Sequence, residues 1–212
     1  MSEYLFNSRE TFLARCWWQA SAQRIEPQAW ADQKHRLSAM WVETGSRGNR
    51  GHWDHYLQSE GNGVLEKRLD PIDYLSPSQR YFELFWFGAY TKGSAGPGKR
   101  LYYEIRPADR KWNIARWALD SNAWSGYVGI WETDEAQGAL RKPASARLWT
   151  IDGLAPEMQE GERRFNVLLS TPNGGKLRRY ASEGALFFNT NKGDAGRVAM
   201  EILSIPHQYG EI

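Results

Sequence analysis

The stretch SRETFLARCWWQASA, residues 8–22, decides how the first part of the chain is read. Ser8 carries the short hydroxyl that caps a helix N-terminus. Phe12, Leu13, Cys16, Trp17 and Ala20 then recur along one side at helical spacing. The pattern predicts a helix from Ser8 to Ala22. Pro27 suits the first turn of a second helix, where its missing N–H costs nothing, and Trp30, Leu37, Met40 and Trp41 continue at helical intervals. That helix is expected to stop before GSRGNRG, residues 45–51.

Beyond Ser76 the texture changes. YFELFWFGAY (81–90) is too aromatic and too continuous for a surface helix and reads as a buried strand, with a helix as the alternative because periodicity does not separate the two at this length. Short apolar or alternating runs follow at 101–106, 126–131, 146–151, 164–170, 176–181, 185–190 and 197–205. PNGG, residues 172–175, supplies hairpin-turn residues between two of them. Strands in succession with short turns favour an antiparallel sheet. One short helix is expected to interrupt them at KWNIARWALD, residues 111–120. The expected fold class is α+β: N-terminal helices over 1–76, then a mainly antiparallel β-sheet over 77–212, in a single compact unit.

The core of this 212-residue chain must be built from large rings, since it holds 11 Trp, 10 Tyr and 8 Phe. A net charge of +2 excludes the strongly basic class of chromatin and ribosomal proteins. The single cysteine, Cys16, excludes an intrachain disulfide and a thiolate metal cage. MSEYLFNSRE lacks the blocks of a signal peptide, and no apolar run approaches the roughly 20 residues that span a bilayer. A cytoplasmic protein with no membrane partner is expected.

GSAGPGK, residues 93–99, matches the start of a phosphate loop, but Arg100 replaces the magnesium-binding hydroxyl and a strand-like run follows where a helix is needed. No nucleotide triphosphate or other cofactor is expected, and the segment reads as a hairpin tip. Its cations suit a polyanion. Lys99, Arg100, Arg106 and Lys111 interleave with Tyr103 and Trp112, the mixture that holds single-stranded nucleic acid by ion pairing and base stacking. Arg47, Arg50 and Trp53 repeat the combination in the glycine-rich loop. Arg178 and Arg179 form a further basic knot with Lys176; Lys192 and Arg197, in the polar turn 189–197, could add to a basic face, though a plain hairpin loop suffices to explain them. Alternation on any half-buried strand produces a similar pattern with no ligand at all.

His52 and His55, three apart around Asp54, would share a helix face and could take a metal with a carboxylate from Asp70 or Asp73, though no partner motif fixes a third ligand. The leading expectation is a nucleic-acid-binding, non-catalytic subunit of a larger nucleoprotein assembly working with other protein subunits. A prokaryotic defence or mobile-element machine fits without a motif that specifies it. The alternatives are a protein–protein adaptor or inhibitor using its Trp, Tyr and Arg residues, and a small metal-dependent hydrolase built on His52 and His55.

Overall fold

Ser8–Ala22 does not form a helix. In the computed structural model, which describes residues 4–20, 35–43, 53–59, 81–93, 100–115, 117–132, 148–154, 157–182 and 185–206, strand β1 runs from Tyr4 to Gln19. Its apolar run from Phe12 to Trp18, broken by Arg15, shows no alternation because both faces are covered. Phe12, Ala14, Cys16 and Trp18 enter the main core, while Trp17 packs with Ala199 and Phe165 on the reverse side. A strand buried on both sides loses its two-residue alternation, which is how it came to resemble a helical stripe. The polar residues before it close a bulge instead of capping a helix. Thr11 Oγ1 donates to the Asn7 carbonyl at 2.8 Å and accepts from the Ala89 amide at 3.1 Å.

The second expected helix is also corrected. Leu37–Glu43 is strand β2, and the rest of that segment, 27–34, lies outside the described residues. The expected helix at 111–120 is a loop followed by a strand, Trp117–Ser121. Among the described residues there is no α-helix, so the fold is all-β rather than α+β. No helix there is long and apolar enough to cross a membrane.

The remaining strands are β3 (Trp53–Ser59), β4 (Tyr81–Phe82), β5 (Phe85–Lys92), β6 (Leu101–Pro107), β7 (Trp117–Ser121), β8 (Val128–Glu132), β9 (Thr150–Asp152), β10 (Arg163–Ser170), β11 (Arg178–Ser182), β12 (Ala185–Asn189), β13 (Asp194–Ala195) and β14 (Arg197–Ser204). Every pairing among the described residues is antiparallel. One six-stranded sheet has the order β6-β5-β1-β14-β10-β9. Its two edges meet where Tyr103 and Trp149 exchange backbone hydrogen bonds of 2.8 and 2.7 Å, so the sheet curls back on itself. A second sheet has the order β13-β11-β12-β3-β2-β4, and β7 and β8 form a separate hairpin.

The core lies between these layers. Phe12 stacks on Phe87 with centroids 4.7 Å apart, and the Trp149 indole donates to the Leu119 carbonyl at 2.8 Å. The far side of β5 is covered as well, because the Trp86 ring lies across Gly88 where any Cβ would overlap it.

Candidate nucleic-acid interface

Two expected contact residues are built into the interior. Tyr103 is 2% exposed and packs edge-on against Phe12. Burial, and then the charge of Glu10, pushes its phenol well above the usual range. Arg106 is 4% exposed, and its Nη2 donates to Oε1 of the fully buried Glu104 at 3.0 Å. The physical reason is strand alternation on a sheet covered from both sides. Odd residues of β6 enter the core, and even ones lie under the Trp86 and Tyr90 side, where Tyr90 Oη donates to Glu104 Oε2 at 3.4 Å.

The other expected residues that the structure describes with their side chains do not assemble with these. Arg100 is exposed just before β6, and Lys111 is exposed in the loop after it, so about 20 Å of strand separates them. Trp112 is half-buried, and its indole donates to Ser204 Oγ at 3.2 Å. Its left-handed backbone, φ 62°, is imposed by a tight loop in which Asp109 Oδ1 accepts from the amides of Lys111 and Asn113. Arg179 turns towards the core edge, over the Trp18 ring at 5.8 Å and against His35 Nδ1 at 3.2 Å. Burial lowers its pKa, and Asp194 opposes that shift.

Arg47, Arg50, Lys99 and His52 lie outside the described residues. Trp53 and His55 are described in their backbone alone, as part of β3, so the helical spacing argued for the two histidines does not apply. Among the described residues no group of three or more His, Cys, Asp or Glu could hold a metal ion.

What the fold does bring together is a strip running from the β7–β8 hairpin onto the outer face of the second sheet. Trp124, at the hairpin tip, is 96% exposed. The loop beneath it is fixed. Asn122 Oδ1 accepts from the amides of Trp124 and Ser125, both at 2.9 Å, and the Gly126 amide donates to the Asn122 carbonyl at 2.8 Å. Gly126 has φ 75°, and a Cβ there would collide with Asn189 and Asn191. The neighbouring loop is stitched to it, as Thr190 donates its amide to the Gly126 carbonyl at 2.8 Å and Asn189 Nδ2 donates to the Ser125 carbonyl at 3.1 Å. Asn189 Oδ1 in turn accepts from the amides of Asn191 and Lys192. The PNGG turn sits alongside, with Gly175 against Thr190.

From that rim the strip continues as rings. Tyr127 meets Tyr56, Tyr180 and Phe187 edge to face, with centroids 5.5, 5.9 and 5.6 Å apart. Lys192 Nζ lies 6.0 Å from the centre of the Tyr180 ring. Leu177 is in the core, so alternation turns Lys176, Arg178 and Tyr180 outward on the same side. Arg178 Nη1 donates to the Gly193 carbonyl at 3.3 Å. Cations and stacking rings thus lie on one surface, held by a hydrogen-bonded loop cluster.

Of the expected contact residues, Arg178 belongs to this strip. Trp124, Tyr127, Tyr180 and Tyr56 were not singled out from sequence. The available signal was a large indole set among turn-formers in SNAWSG, residues 121–126, a position that a ring does not need for folding.

These features define a curled, antiparallel all-β protein with an aromatic and basic loop end. No protein-family model matches the chain, and no curated protein matches it.

Proposed function

We propose that this protein is a nucleic-acid-binding, non-catalytic subunit that takes single-stranded nucleic acid across the strip headed by Trp124. The observation that carries the reading is a nearly fully exposed indole on a hairpin hydrogen-bonded to the Asn189–Thr190 loop, on a strip that carries Lys192 over Tyr180 and Arg178 against Gly193. A ring presented this way offers a stacking platform to an unpaired base, and neighbouring cations neutralise the backbone phosphates. The modest net charge of +2 suits a subunit that shares its ligand with partner proteins, rather than one that grips nucleic acid alone. Its lone cysteine, buried in the core, fits work in a reducing cytoplasm.

The test is a salt titration of binding to fluorescein-labelled single-stranded DNA and RNA, comparing the parent with the double variant Lys176→Glu/Lys192→Glu. The variant is expected to bind more weakly, with a slope of log affinity against log salt shallower by about 1.4, roughly 0.7 for each lost phosphate contact on a single strand. Titrations of parent and variant that superimpose, or no binding to either polymer at low salt, would refute the proposal.

A second reading rests on the same indole. Trp is the residue type most enriched among energetic anchors at protein interfaces, and Trp124 could fill a pocket on a protein subunit. A partner that stays bound after nuclease treatment and is lost on Trp124→Ala, with no oligonucleotide binding, would favour it.

A further inference from the structure

Gln58 on β3 is fully buried, and among the described residues neither its amide oxygen nor its amide nitrogen has a hydrogen-bond partner. A buried side-chain amide with both ends unsatisfied is costly and rare. Its position explains what it could serve. Leu57 and Ser59 alternate with it, and Leu57 enters the core, so Gln58 projects to the outer face of the second sheet. There it stands directly across the strand pair from Phe187, on the face that carries Tyr56, Tyr127 and Tyr180. On its other side it is paired with Ser38, whose hydroxyl lies 3.5 Å from the Gln58 backbone carbonyl and leaves the amide unengaged.

We infer that Gln58 and the surrounding rings form a seat for one nucleobase. The inference rests on the nucleic-acid reading above and extends it from the exposed rim to a base-reading position. The chemistry is specific. A carboxamide offers one donor and one acceptor in a single plane, which matches the adjacent donor and acceptor on a base edge. Phe187 and the tyrosines supply flat apolar walls, and Lys192, over the Tyr180 ring, supplies a cation for the phosphate attached to the base. Tyr56 is half-buried and meets Phe187 edge to face at 5.4 Å, so this ring must move for a base to reach the amide.

The experiment uses the full chain with the four nucleoside monophosphates, read by calorimetry and by the side-chain amide resonances of Gln58. In the parent, at least one monophosphate is expected to bind and shift both Gln58 amide protons. Gln58→Leu is expected to melt no lower than the parent, since an unsatisfied amide has been removed, and to bind that monophosphate about tenfold or more weakly. Gln58→Met serves in its place should the leucine variant fail to fold.

Absence of binding by all four monophosphates overturns the inference, as does a leucine variant that binds like the parent. The parent reading stands or falls separately. Salt-dependent oligonucleotide binding that Gln58→Leu leaves unchanged removes the base seat alone. Monophosphate binding that shifts the Gln58 amide, with no oligonucleotide binding, retains the seat and removes the polymer reading.

Discussion

Arg106 provides the sharpest separation between a cation that holds the fold and one that meets a ligand. Arg106→Ala removes one member of a pair in which Glu104 is completely buried and Arg106 nearly so, joined at 3.0 Å. The carboxylate left behind keeps the contact from Tyr90, a long 3.4 Å, and loses the Arg106 charge. Breaking a buried pair in this way costs about 3–5 kcal/mol. That is a large share of the about 5–15 kcal/mol by which a native protein is stable. For a chain of this size each kcal/mol moves Tm by about 2–4 °C, so a fall of roughly 6–20 °C is expected.

Replacing both members, Glu104→Leu with Arg106→Met, removes the charges together and should restore stability to within a few kcal/mol of the parent, or above it. The assay is thermal and urea unfolding of the parent, the two single variants and the double variant as a mutant cycle. At temperatures where Arg106→Ala is folded, its oligonucleotide affinity and salt slope should equal those of the parent. A loss of stability no larger than an exposed pair gives, about 0–1 kcal/mol, combined with a shallower salt slope, would refute the assignment and return Arg106 to the proposed contact surface.

Two further outcomes are expected. Trp124→Ala should leave stability within about 0.5 kcal/mol of the parent, because the indole contacts almost nothing. Oligonucleotide affinity, measured by anisotropy, should fall by about 1–3 kcal/mol, or roughly 5- to 150-fold. Glu10 has its pKa raised first by burial and then by the nearby charge of Glu157, so the folded state holds this proton more tightly than the unfolded one. Its stabilising share is complete below the unfolded pKa and disappears as pH rises through the raised folded value. Glu10→Gln should therefore melt above the parent at neutral pH, with the difference closing as the solution is acidified below the ordinary carboxylate range. A constant difference at all pH values would contradict this.

The sequence determined the strand-rich character of the later chain. Val, Phe, Tyr and Trp runs separated by Gly, Asn and Pro turns become β5, β6, β8, β10, β11, β12 and β14 because those side chains suit a pleated surface and the punctuation suits reversal. Even there, PNGG does more than join two neighbours. Ser170 and Lys176 pair briefly across the turn before the chain crosses from the first sheet to the second. The same sequence also fixed a buried, chemically quiet Cys16, whose thiol burial pushes far up in pKa.

Tertiary structure decided the rest, for reasons that local pattern does not carry. Phe12 to Trp18 is covered on two sides by elements distant in sequence, so its periodicity disappears and a strand imitates a helix. Arg106 and Arg178 are alike in sequence, each a cation in a strand with a tyrosine nearby. Only the sheet's second cover buries the first beside Glu104, and only the convergence of three loops leaves the second on a ring-bearing rim. Trp124 and Gln58 complete the contrast. An indole in water and an amide sealed without a partner among the described residues are both defined by what surrounds them in space, and neighbours along the chain do not specify that.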